Sequence, residues 1–176
     1  MKTLFYLILW ALGMNIYSQS FTEKYEDLDN VTSVVVTEEM FKMLGSIEPE
    51  GQKAKEEIEV LKDLTGLSII STNEEAYKNE ILKDVNKYVQ TKGMKELLRI
   101  NDNEAKVKFY VIYGDKPYIA KELVMVLIKK VSPYDVIVMD LTGKINLKKL
   151  SKLNSKVRMV DKKYFEEVEQ KINENE

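Results

Sequence analysis

Cysteine and histidine are both missing from the 176 residues. Without cysteine the chain makes no disulfide, thiolate nucleophile, cysteine-ligated iron–sulfur cluster or acylated lipoprotein cysteine. Without histidine it lacks the commonest general base and transition-metal ligand. Arginine is scarce too: Arg99 and Arg158 are the only two among 27 basic residues, which face 29 acidic ones for a formal charge of -2. That balance argues against a nucleic-acid partner, since such binders concentrate positive charge on one face. No Pro-rich, Ser-rich or repeated segment divides the chain. The longest apolar run, Leu4 to Leu12, is about half of the ~20 residues that a membrane-spanning helix needs.

That run follows Lys2 and precedes a polar stretch with the small residues Ser18 and Ser20, the layout of a secretory leader. Residues 1–20 are therefore expected to be a signal peptide cut near Phe21, with cuts before Gln19 or Ser20 as alternatives. Residues 21–176 then form one domain, with no retained transmembrane helix, exported to the periplasm or the cell exterior.

Within that domain, Val31 to Val36 is β-branched and reads as the first strand. Thr37 then caps a short helix that carries Met40, Phe41 and Leu44 toward the core and stops at Gly45. Pro49 opens a second helix with Ala54, Ile58, Leu61 and Leu64 on one stripe, ending at Gly66. Leu67 to Ser71 is a short strand, and Thr72 with Glu75 predicts a capping box. The helix after it buries Tyr77, Ile81, Leu82, Val85, Tyr88 and Val89 and ends at Gly93. Met94 to Ile100 reads either as a last helical turn or as an edge strand.

The carboxy-terminal half reads as a β-meander: Lys106 to Tyr113, Ile119 to Lys130 and Val136 to Leu141, joined by Gly114-Asp115-Lys116-Pro117 and Ser132-Pro133. The later two strands are apolar on both faces, which implies a central position, a covering layer or a partner surface. Gly143 ends the block, Asn146 caps a short helix with Leu147, Leu150 and Leu153, and a helical or frayed tail starts near 161. The expected fold is α+β: a single domain with a mostly antiparallel sheet and helices packed on one face.

Chemical motifs are absent. There is no serine-hydrolase elbow, no S-x-x-K spacing, no phosphate-binding G-x-x-x-x-G-K-[ST], and no calcium-loop spacing around Asp102, Asp115 or Asp135. No catalytic, cofactor-binding or metal-ligating residue is assigned, and no cofactor is expected. Glu38 and Glu39 suit a helix start rather than a catalytic pair. Asp140 interrupts an apolar strand, where desolvation would favour its neutral form, and it anchors an alternative reading as a hydrolase assembled from distant carboxylates, tyrosines and lysines. Tyr110 and Ile112, opposite the Val107, Phe109 and Val111 face, join Val124 and Val126 as a possible interaction face. Tyr77 and Tyr88 are expected at the helix–sheet boundary with wet hydroxyls. Lys148, Lys149 and Lys152 form a solvated helix face.

The ordered set Phe21, Tyr25, Val31 to Thr37, Met40-Phe41, Gly66-Leu67, Val107 to Tyr113 and Leu141-Thr142-Gly143-Lys144-Ile145 resembles the exported family known as domain of unknown function 4252. The likeness covers most of the chain after the leader. It implies a small envelope protein of a Gram-negative lineage, with a loose link to envelope stress or regulation and no catalytic residues to carry over. Some similar proteins bear a cysteine at the leader end for lipid attachment. Ser18-Gln19-Ser20 stands here instead, which implies a soluble product without a lipid anchor. Residues and resemblance together lead to a non-catalytic periplasmic binding or protein-interaction module, whose partner is an unknown envelope protein or a second copy.

Overall fold

The β-branched run at residues 32–37 forms β1 (Thr32–Thr37), the first strand of an antiparallel sheet in a computed structural model that describes residues 20–130 and 136–153. The expected leader, but for Ser20, lies outside the described residues, as do the turn at Ser132-Pro133, Asp135 and the tail from 161. Thr37 caps α1 (Glu38–Gly45), its hydroxyl accepting from the Met40 amide. Only Phe41 of the three expected core residues is fully buried there; Leu44 is half-buried and Met40 is exposed.

The second helix, α2 (Gln52–Leu61), is shorter than its apolar stripe predicts, because Leu64 and Gly66 belong to β2 (Leu64–Thr72). Tertiary pairing overrides the helical spacing: Leu64 lies opposite Gly143 and Gly66 opposite Thr142. Thr72 makes no capping box. Its hydroxyl accepts from the Glu74 amide and donates to the Asn30 carbonyl, and Glu74 is the residue that precedes α3 (Glu75–Thr91). Gly93, at φ +63°, turns the chain into β3 (Lys95–Asn101), which resolves the Met94 to Ile100 ambiguity in favour of the edge strand. Asp102 closes the next turn by accepting from the Glu104 and Ala105 amides.

Three long strands follow, β4 (Ala105–Tyr113), β5 (Ile119–Lys129) and β6 (Val136–Asn146), then α4 (Leu147–Leu153), where the Asn146 side chain accepts from the Lys149 amide. The sheet order is β1-β2-β6-β5-β4-β3, every pairing antiparallel. The carboxy-terminal meander is as expected, and β5 and β6 are central. Gly143 does not end β6 but lies within it.

Alternation along the strands gives each face its own core. On the first face, Phe109, Leu123, Met125, Met139 and their neighbours pack with Phe41 of α1, Leu61 of α2, and Leu147 and Leu150 of α4. On the second, Tyr110, Val124, Val126 and Val138 pack with Tyr25 and with Ile81, Val85 and Val89 of α3. The helices thus divide between both faces rather than sharing one. The reason is the two-sided apolarity of β5 and β6, which leaves the second face to be covered by the buried stripe Ile81, Val85 and Val89 of α3.

Candidate functional site

The four residues read as an open interaction stripe are where α3 sits. Tyr110, Val124 and Val126 are buried and Ile112 is half-buried among the residues of the second core. They supply packing on this side of the sheet and are not a free face.

The unusual chemistry lies on the same face. Asp140 continues the inward row Val136, Val138 of β6 and is 3% exposed, with Ser68 of β2 and Val124 of β5 on either side. Glu122, 6% exposed, precedes Val124 by two residues in β5, which makes it a diagonal neighbour of Asp140 on one face. Glu122 is fully engaged: the Tyr88 hydroxyl donates to Oε1 at 2.6 Å and Lys92 Nζ to Oε2 at 3.0 Å. Lys92 also lies 4.8 Å from the Tyr88 ring centroid. The Tyr88 hydroxyl is therefore committed to a buried carboxylate rather than to water.

Asp140 has no comparable support. Ser20 Oγ donates to Oδ2 at 3.0 Å, and Oδ1 is buried without a hydrogen-bond partner among the described residues. Burial pushes its carboxyl up to about 6, the charge of Glu122 adds to the rise, and Ser20 and Lys92 offset it only in part. Around it runs a chain of hydroxyls and one further carboxylate: Ser20 Oγ is 2.7 Å from Thr22 Oγ1, and Glu26 Oε1 accepts from Thr22 and Ser68. Tyr25, fully buried, anchors this amino-terminal segment by donating to Asp84 at 2.8 Å, and Lys24 bridges to Glu80 and Asp84.

Sequence reasoning singled out Asp140 and missed Glu122, Tyr88, Lys92 and Ser20 as its surroundings. A signal existed in part: Glu122 directly precedes the apolar run of β5, and Tyr88 and Lys92 are spaced i, i+4. Their convergence depends on strand order. No group of three or more acidic residues is placed to hold a metal ion among the described residues. A cleft of about 480 Å³ lies elsewhere, formed by α2, the β4–β5 turn, the ends of β5 and β6, and α4, with Glu59, Lys116, Tyr118, Lys121, Lys144 and Lys149 in its lining. Asp140 is not among the residues that line it. Lys149 pairs with Glu59 and Lys148 lies over the Tyr118 ring, so the basic helix face is partly engaged.

The sheet edges differ in kind. Edge strand β3 carries Lys95, Glu96 and Arg99, with an irregular register between Glu96 and Leu98. Edge strand β1 contains no charge, no proline and no register shift. Among the described residues its backbone has no partner beyond β2. Val35 there is 50% exposed, the following helix leaves Met40 and Met43 exposed, and Ile47, two residues past its end, is exposed as well.

Fold and site together define an α+β protein built on an open six-stranded antiparallel sheet, covered on both faces, with a buried carboxylate pair on the second. Residues 25–153 match the family described as domain of unknown function (DUF4252), and the chain belongs to that family. No curated protein and no solved structure matches it. Among the described residues no helix is long and apolar enough to cross a membrane.

Proposed function

We propose that this chain is a non-catalytic protein-interaction module of the cell envelope, which takes an extended segment of a partner protein alongside β1. The observation that carries the reading is the contrast between the two edges. Natural sheets blunt their edges with charge, proline or bulges, as β3 does, whereas β1 offers a regular, uncharged row of backbone donors and acceptors. An extended backbone is the chemistry that complements such a row. The exposed Met40 and Met43 on the next element, with Ile47 just past its end, supply an adaptable apolar surface for the side chains of the incoming strand. The envelope location draws on the leader-like amino terminus.

A hydrolase using Asp140 with Glu122, Tyr88 and Lys92 is the second reading, favoured by the raised Asp140 carboxyl. Its 3% exposure leaves little for a substrate to touch, which ranks it lower.

A photo-crosslinking residue placed at Thr37 on β1, and separately at Arg99 on β3, tests the proposal in intact cells. The expected result is one heavier adduct from Thr37, mapped by peptide sequencing to a single extended segment of a different protein, weakened at least tenfold by Val35→Lys and absent from Arg99. Adducts in equal yield from both edges, or none from either, would overturn it. An adduct of twice the chain mass would replace the foreign partner with a second copy.

A further inference from the structure

The buried carboxylate pair is short of one positive charge. Asp140 is faced by Glu122 from β5 and Ser68 from β2, Glu26 of the amino-terminal segment is bonded to Ser68, and the amine from the end of α3, Lys92, is bonded to Glu122. One oxygen of Asp140, buried and without a partner among the described residues, leaves room for a further donor. The chain that runs past it is the start of the expected mature protein. Ser20 Oγ is 3.0 Å from Asp140 Oδ2 and 3.4 Å from the Thr22 amide, and the Phe21 amide nitrogen follows Ser20 directly in the chain. The segment is also held in place: the Phe21 ring lies 4.8 Å from that of Tyr88, and Thr22 and Tyr25 are buried.

We propose that leader removal makes Asp140 one half of a buried ion pair, with the new α-ammonium of Phe21 as its partner. Water hydrolyses the Ser20–Phe21 peptide bond, leaving a carboxylate on Ser20 and an α-ammonium on Phe21. The Ser20 hydroxyl departs with the leader, and the ammonium takes its place as donor to Asp140. The inference rests on the export reading above.

The exchange reverses the pH behaviour of the fold. In a chain that keeps Ser20, the folded carboxyl holds its proton up to about 6, above the ordinary carboxylate value of about 4. Its contribution to stability is full below the ordinary value and drains away as pH rises through 6. With an ammonium beside it the charged form is favoured and that decline disappears.

The full chain, expressed with its own leader in a Gram-negative host, supplies the test. Mass spectrometry reads the first residue, and isotope-labelled methylation of the α-amine lets NMR follow its titration. The expected protein begins at Phe21, and its ammonium is at least tenfold less acidic than an ordinary α-ammonium of pKa about 8. Asp140→Asn should return it to ordinary acidity. Should that variant fail to fold, a chain processed one residue earlier, with Ser20 retained, should show ordinary acidity and the stability loss toward pH 6. A retained leader would overturn the export reading and this inference with it. A chain starting at Phe21 with an ordinary α-ammonium, or a native start at Gln19 or Ser20, would overturn this inference alone.

Discussion

Gly143 adopts φ +126°, and a Cβ built there would meet the Asp63 carbonyl oxygen at 2.4 Å and Leu64 Cα at 2.7 Å. Both obstacles are backbone, one in the turn and one at the strand start that replace the end of the expected second helix. Gly143 is therefore where β6 lets β2 begin, and the Lys144 amide donates to the same Asp63 carbonyl. Gly93, also at positive φ, has open space around its missing Cβ. Gly143→Ala should accordingly cost about 3 kcal/mol, the upper end of what a strained backbone position costs, while Gly93→Asn should cost less than ~1 kcal/mol because asparagine tolerates the left-handed region. Urea denaturation of both variants reads the difference; equal losses would remove the special role of Gly143.

Among the elements, α3 has the greatest consequence, because it closes a face that sequence alone leaves open. Its helical spacing is plain in Ile81, Val85 and Val89, all buried, with Lys83 exposed on another side. What it covers was legible only as a surplus of apolar residues in β5 and β6, since periodicity describes one element at a time. The same limit explains Tyr88: its place at a helix–sheet boundary follows from the stripe, but its bond to Glu122 joins residues 34 apart. Removing the Ile81 side chain should open a cavity against Tyr110 and Val124, so Ile81→Ala should cost about 3 kcal/mol. Lys83→Ala should stay within ~0.5 kcal/mol. Loss of far-UV helix signal in chemical denaturation checks this, and equal effects would mean that α3 is not packed on the sheet.

At the scale of the whole molecule, one sheet serves two cores, so neither can melt without exposing strands that the other needs. Ile145 on the first face and Ile81 on the second are both fully buried, in separate clusters. Ile145→Val and Ile81→Val should each cost about 1 kcal/mol, and the double variant should equal the sum to within ~0.5 kcal/mol because they share no packing partner. The transitions followed by circular dichroism and by tyrosine fluorescence should coincide. Two separated transitions would show that the halves fold independently.

The amino-acid sequence by itself determined the local elements: the β-branched run of β1, the stripe of α3, the alternation in β4, the caps at Thr37 and Asn146, and the two-sided apolarity that marks β5 and β6 as central. These depend on spacing and on turn chemistry, which act between near neighbours. Only the tertiary structure decided that β2 pairs with β6, that the helices divide between two faces, and that Asp140 meets Glu122 from the neighbouring strand and Ser20 from 120 residues away. Those choices come from long-range register and from burying both faces of one sheet, and they turn a lone strand carboxylate into one member of a buried carboxylate pair.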